Sequence, residues 1–220
     1  MMKLLKILSA LLFPPKCVLC KRVLSKDETD LCKNCRVNAP VCPVSNNKLS
    51  FLDSWLAIWH YEGEVRGSIL RFKFYGKRSY APAYGRLLAM KLTQEHPEGF
   101  DLITWVPTGF FRKLRRGYDQ AMLLAEAVGK ELDMQPVPLL KKIRHTRRQS
   151  TIGAQAHRRA NVLGAYKAID PAQFAGKRIL LLDDVITTGA TAGECARILL
   201  TAGAKEVHCA AVARARYAKR

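Results

Sequence analysis

Two adjacent carboxylates, Asp183 and Asp184, stand immediately before a small hydroxyl-rich stretch, Thr187-Thr188-Gly189-Ala190-Thr191. Carboxylates accept hydrogen bonds and so suit the hydroxyls of a sugar; they also approach Mg²⁺ through its waters. A tight loop of threonines and glycine that enters a helix points several backbone N–H groups at one place. The helix dipole adds positive potential there, and Gly189 permits close approach. The composite reads as a sugar-phosphate site. It is not a Walker A loop, because the Gly-x4-Gly-Lys-Ser/Thr pattern is absent.

The elements that must hold these residues are legible around them. Ile179-Leu-Leu-Leu182 is too short for a helix and unalternated, as a strand buried on both faces of a parallel sheet should be, and it ends at the acidic pair. Behind the loop, Ala192, Cys195, Ala196, Leu199 and Leu200 fall on one helical face. Strand, acidic tip, loop and helix together place the site beyond the carboxyl end of a strand, where open α/β sheets bind ligands. Further strands are expected at 55–61, 101–107, 165–169 and 205–213. Helices are expected at 64–74 and 81–95, and a single helix opening in 110–120 and running through Ala121, Leu124, Ala125 and Val128.

A second chemistry lies near the N-terminus. Cys17-x2-Cys20 and Cys32-x2-Cys35 form C-x2-C-x11-C-x2-C, and five of the seven cysteines precede residue 43. Four thiolates give the tetrahedral sulfur set that Zn²⁺ favours. A disulfide cluster is the alternative, disfavoured by the lack of a secretory signal. Cys42 is followed by Ser45 where a third knuckle would need cysteine, so it reads as a spare or structural thiol. Cys195 and Cys209 lie in core patterns, and His60 alone in its strand reads as structural.

The 220 residues suit one medium domain with a small appendage, divided as 1–50 (N-terminal helix and ribbon) and 51–220 (α/β domain). A hydrophobic fraction of 49% supplies a core and excludes a disordered chain. The net charge of +19 predicts attraction to polyanions, nucleic acid first. Basic residues gather at 71–78, 112–116, 141–159 and the C-terminal tail, with Tyr75, Phe110, Phe111 and Tyr118 beside them as candidates for base stacking. Lys141–Arg159 holds seven Lys/Arg and no acid. Arg147, Arg148, Arg158 and Arg159 are the candidates there for contacts to a single-stranded DNA backbone. Met1–Phe13 reads as a short amphipathic helix, interrupted by Lys6 and closed by Pro14-Pro15. The expected location is cytoplasmic, with an inner-membrane contact as the minority reading.

The 179–191 stretch resembles the phosphoribosyl-pyrophosphate (PRPP) motif of type I phosphoribosyltransferases. The resemblance implies that Asp183 and Asp184 bind the ribose hydroxyls and that Thr187, Thr188, Gly189, Ala190 and Thr191 hold the 5′-phosphate, with Mg²⁺ accompanying PRPP. Val106-Pro107-Thr108-Gly109 is similar to the pyrophosphate loop of amidophosphoribosyltransferases. Thr108, Gly109, Arg112, Arg115 and Arg116 then become candidate diphosphate contacts, since guanidinium forks match phosphate oxygens. Lys141–Arg159 falls where the family has a hood loop over the diphosphate, with Gln149, Arg158 and Asn161 approximating its Gln…Arg-x-x-Asn pattern.

Arg116-Gly-Tyr-Asp-Gln120, the Phe13-Pro14-Pro15 start and the cysteine ribbon resemble the competence protein F (ComF/GntX) family, with Asp119 where that family has asparagine. This resemblance spans nearly the whole chain. It implies an α/β fold of the type I phosphoribosyltransferase class, a mostly parallel sheet flanked by helices, with a small four-cysteine zinc ribbon. It also implies a role in DNA uptake and natural transformation. Single-stranded DNA and other uptake proteins, such as a helicase or a recombination mediator, are the implied partners. Three functions compete: a phosphoribosyltransferase, a PRPP-responsive module without catalysis, and a single-stranded DNA-binding factor on the same fold. No residue identifies itself as a general base, and no acceptor pocket is legible.

Overall fold

A computed structural model describes residues 14–44, 48–144 and 161–216. The amphipathic 1–13 segment and the Arg147, Arg148, Gln149, Arg158 and Arg159 candidates lie outside the described residues. At the centre is a four-stranded sheet of order β1-β6-β5-β2, formed by β1 (Ser54–His60), β2 (Leu102–Trp105), β5 (Arg178–Ile186) and β6 (Glu206–Arg214). All three pairings are parallel. Short strands β3 (Leu140–Lys142) and β4 (Tyr166–Ala168) form a separate antiparallel pair.

Helices cover both faces, which is why the central strands lack alternation. Along β5, Leu180 and Leu182 pack with α2 (Gly63–Phe74), α3 (Ala81–Glu95) and α5 (Gln120–Glu131). Ile179 and Leu181 point the other way, toward α6 (Ala190–Thr201) and the β3–β4 pair. All four are fully buried, and each such side chain contributes roughly 1.5–3 kcal/mol. The first face also takes in the cysteine segment: Val18 and Leu19 pack in one cluster with Val65, Ile69, Phe72 and Tyr84. A short helix, α1 (Lys33–Asn38), is N-capped by Cys32.

Besides α1 and β3, which the sequence reading does not anticipate, two elements differ from it. Strand β5 does not stop at the acidic pair but runs on to Ile186, because Val185 and Ile186 still pair with Ala213 and Arg214 of β6. The helix expected from 110 onward is two helices, α4 (Phe110–Arg116) and α5. Gly117 ends α4 at φ +75°, a left-handed C-cap that a side chain would strain, and Asp119 then caps α5.

The chain after β2 returns beside it on the outer side, where Val137 N–H donates to the Ile103 carbonyl, while β5 pairs on the inner side. The β2–β5 junction is therefore a topological switch point, and the sheet opens a crevice there.

Candidate functional site

A cleft of about 290 Å³ lies at that switch point, lined among others by Lys73, Thr108, Arg116, Asp183, Asp184 and Thr191. Thr187, Lys142 and Tyr166 complete its polar wall. Side chains from β5, the β2–α4 loop, the α6 entry, α2 and β3 thus converge on one volume. At its floor Asp183 Oδ1 accepts from the Asp184 N–H at 2.8 Å. Burial, then the neighbouring charge of Asp184, pushes the Asp183 carboxyl up to about 8, with Lys73 opposing the shift. Lys73 Nζ lies 2.7 Å from Asp184 Oδ1.

The phosphate-type loop divides. Thr187 and Thr191 face the acidic cleft, whereas Thr188, Gly189 and Ala190 line a neighbouring cavity of about 210 Å³ with Ser50, Phe51 and Arg197. Thr188 Oγ1 accepts from the Ala190 N–H at 3.2 Å, which fixes the loop against the first turn of α6. Gly189 sits at φ +78° with a Cβ position only 2.9 Å from Leu49, so backbone conformation and packing both require glycine. Arg214 donates to the Thr187 carbonyl from the end of β6.

The 106–109 loop is held from behind. Val106 N–H extends the ladder to Leu182 at 2.9 Å. Thr108 donates through both its N–H (2.8 Å) and its hydroxyl (3.1 Å) to the Asp119 carboxylate. The same carboxylate accepts from Ala121 N–H at 3.1 Å as the cap of α5. Thr108 therefore borders the cleft with both of these donors engaged by Asp119, while Gly109 packs against the Lys142 stem. Arg116 reaches the cleft, stacks 4.7 Å from the Phe74 ring centre and donates to Gln120 Oε1 at 2.6 Å. Arg115 lines an adjoining cavity of about 500 Å³ with Lys73, Phe74 and Tyr118. Arg112 lies in α4, and its side chain is outside the described residues.

Of the aromatic residues considered for stacking, Tyr75 and Phe110 are exposed. Tyr118 is not available: it is buried and donates to the Phe72 carbonyl. The Phe111 side chain is outside the described residues. Lys73, Lys142, Tyr166 and Asp119 are the site residues that sequence reasoning missed. Lys73 and Lys142 lie inside runs of like charge, where nothing in the sequence distinguishes the cations that turn toward the cleft.

The four cysteine sulfurs of Cys17, Cys20, Cys32 and Cys35 lie within 4.8 Å of one another, and none is in a disulfide. Cys20 Sγ and Cys32 Sγ are 3.7 Å apart. Tetrahedral coordination at a metal–sulfur distance of about 2.3 Å sets sulfurs about 3.7–3.8 Å apart, so the set fits one thiolate-bound ion. Burial disfavours the Cys32 thiolate, yet the Cys35 N–H and the neighbouring thiols outweigh it and bring its pKa to about 7. Glu28 clasps the loop between the cysteine pairs to the second knuckle by accepting from Ser25 N–H (2.9 Å) and Lys33 N–H (2.6 Å). Cys42 stands apart from the four; it is buried, as are Cys195 and Cys209 in the core.

Among the described residues no helix is long and apolar enough to cross a membrane. A phosphoribosyl transferase domain model matches residues 115–220, the segment that carries α5, β5, the loop and α6. Competence protein F of Haemophilus influenzae is 29% identical over 226 residues, covering 91% of this chain and 97% of that protein. DNA utilization protein YhgH of Escherichia coli K12 is 30% identical over 200 residues, covering 87% and 86%. Competence protein ComFC of Streptococcus pneumoniae is 27% identical over 223 residues, covering 87% and 96%. With an acidic strand end, a Thr-Gly-Thr loop and a four-cysteine cluster on one chain, and relatives aligned over nearly its full length, this protein belongs to the competence protein F (ComF) family and carries a phosphoribosyltransferase domain.

Proposed function

We propose that the chain binds Mg²⁺-PRPP in the acidic cleft and acts in the handling of incoming DNA, the role that the names of its relatives suggest. The observation that carries this reading is the meeting of Asp183, Asp184, Thr187, Thr191 and Arg116 in one volume at the switch point. Asp183 and Asp184 would fix the ribose hydroxyls, the Thr187–Thr191 loop would take the 5′-phosphate, and Arg116 would face the diphosphate. In transfer, the bond from C1 of the ribose to diphosphate breaks as an acceptor atom bonds to C1. Cationic side chains oppose the charge gathering on the leaving group. Mg²⁺ would neutralise diphosphate charge, and both carboxylates can reach its waters. The four thiolates would hold Zn²⁺. Calorimetry tests the assignment: Asp183→Asn with Asp184→Asn should lose PRPP affinity while keeping the fold, and unchanged affinity overturns it.

A second reading, single-stranded DNA binding, is favoured by the +19 charge and by exposed Tyr75 and Phe110 beside the basic 71–78 and 112–116 segments. Such binding weakens linearly on a log–log salt plot, with a slope of roughly −0.7 per phosphate neutralised. Four or five phosphates give a slope near about −3 on that basis. Neutralising Arg147, Arg148, Arg158 and Arg159 together should flatten it; a salt-independent titration removes this reading.

A further inference from the structure

Helix α2 touches two distant parts of the molecule within six residues. Ser68 donates to the carbonyl of Val18 and Arg71 to that of Leu19, the two residues between Cys17 and Cys20. Ser68 Oγ is also 2.5 Å from the Tyr84 hydroxyl, and Arg71 Nε donates to Tyr80 OH at 3.2 Å. These donors therefore sit on the first cysteine knuckle and are anchored to α3 and its approach. Two residues beyond Arg71, about 200° further around the helix, Lys73 leaves the opposite side. Its ammonium, largely shielded from solvent, ends 2.7 Å from Asp184. Between them Phe72 is fully buried, and its carbonyl takes the Tyr118 hydroxyl, next in sequence to the Asp119 that holds Thr108.

A helix so packed moves as one body. Shifting Ser68 and Arg71 shifts Lys73, since Val65, Ile69 and Phe72 leave no slack on the buried face. The two acceptors are backbone carbonyls of a knuckle whose path depends on its thiolates being gathered, and four-thiolate knuckles fold with their metal. Lys73 in turn belongs to the last turn of α2, whose final residue, Phe74, and the following Tyr75 are exposed.

We propose that Lys73 is the positioning residue of the acidic pair and that the Cys17–Cys20 knuckle holds it there through Ser68, Arg71 and the body of α2, so that metal loading of the ribbon and ligand binding in the acidic cleft favour each other. The identity of the ligand rests on the PRPP reading; the coupling rests on the contacts of α2. Thermodynamic linkage makes it reciprocal: the factor by which metal tightens ligand binding is the factor by which ligand tightens metal binding.

The experiment uses the full chain loaded with Zn²⁺ and the same chain after chelation, titrated with Mg²⁺-PRPP by calorimetry. Metal removal should weaken PRPP binding about tenfold, within the usual span of coupling between sites. PRPP should raise zinc affinity, read with a chromophoric chelator, by the same factor. Lys73→Met should weaken PRPP binding at unchanged zinc content, and Lys73→Arg should recover part of the loss. In the Ser68→Ala, Arg71→Met double variant PRPP affinity should no longer respond to zinc. Equal PRPP affinity with and without zinc, or an unaffected Lys73→Met, overturns the proposal. Hydrogen exchange supplies a readout free of PRPP: chelation should speed exchange at 71–74 and 183–186 while 179–182 stays protected. Unchanged exchange at 183–186 overturns the coupling, and so does uniform opening that includes 179–182. If the loaded protein binds no PRPP, the functional reading fails alone, and exchange still decides the coupling.

Discussion

Asp183 and Asp184 are adjacent in sequence yet chemically unlike. Asp184 has Lys73 as a counter-charge, whereas Asp183 is pressed into the strand end beside Asp184 and its pKa rises to about 8. The unfolded carboxyl titrates near about 3.9. Between those values the folded chain holds a proton that the unfolded chain has released. The contribution of Asp183 to stability therefore falls as pH rises from about 4 to about 8 and levels off above. An asparagine side chain mimics the neutral form, so Asp183→Asn should raise the melting temperature of the ligand-free protein at pH 8 by at least about 2 °C while weakening PRPP binding. Thermal scans at pH 5 and pH 8 check this. Equal shifts at both pH values would mean that the carboxyl is ionised throughout.

At the scale of elements, one side chain joins a loop to a helix. Asp119 receives Thr108 N–H and hydroxyl on one side and the first amides of α5 on the other. Every partner is a donor, so a carboxylate with acceptors on both oxygens suits the position better than an amide. Asp119→Ala should cost about 2 kcal/mol, combining a lost cap with unpaired donors on the loop. Asp119→Asn should cost about 1 kcal/mol, because one of its two faces then presents N–H to N–H. Urea unfolding measures both; equal costs would show that the second oxygen is idle. Gly117 belongs to the same joint, since its left-handed turn lets α4 end and Asp119 point back. Sequence patterning runs α4 into α5 because their break is a turn of the backbone at Gly117 that the spacing of apolar residues does not register.

For the whole molecule the informative feature is that the cysteine segment shares the core of the α/β domain. Val18, Leu19 and Leu24 pack in one cluster with α2 and α3, and Arg86 of α3 pairs with Asp30 at 2.5 Å. Cys32→Ser, which removes one thiolate while its hydroxyl can still cap α1, should therefore lower the melting temperature of the entire chain and abolish zinc binding. Elemental analysis should find about one Zn²⁺ per chain in the unaltered protein and none in the variant. A variant that melts in two steps, with the upper one unshifted, would show a ribbon folding on its own. The Glu28 clasp adds an acid limit. Its carboxyl is held down to about 2 by the Ser25 and Lys33 amides, so its contribution is full above about 4.5 and is lost as pH falls toward about 2.

Local order was readable from the chain: the unalternated Ile179–Leu182 run, the acidic pair, the Thr-Gly-Thr loop and the spacing of four cysteines each depend on neighbours a few residues away. Period and residue type encode such features directly. The strand end was misjudged because Val185 and Ile186 stay in the sheet through β6, a partner more than 20 residues on. Lys73 and Lys142 escaped notice for the same reason. Their charge is local, but their direction is set by where α2 and β3 pack, and among 37 Lys and Arg residues sequence cannot say which turn inward. Thr108 borders the cleft, as its reading as a ligand contact expects, and Asp119, brought close by the turn at Gly117, accepts from its N–H and its hydroxyl. Which groups can do chemistry follows from the sequence, because functional groups belong to residues. Which of them meet, and which are already spent on one another, is decided by packing between elements far apart in the chain.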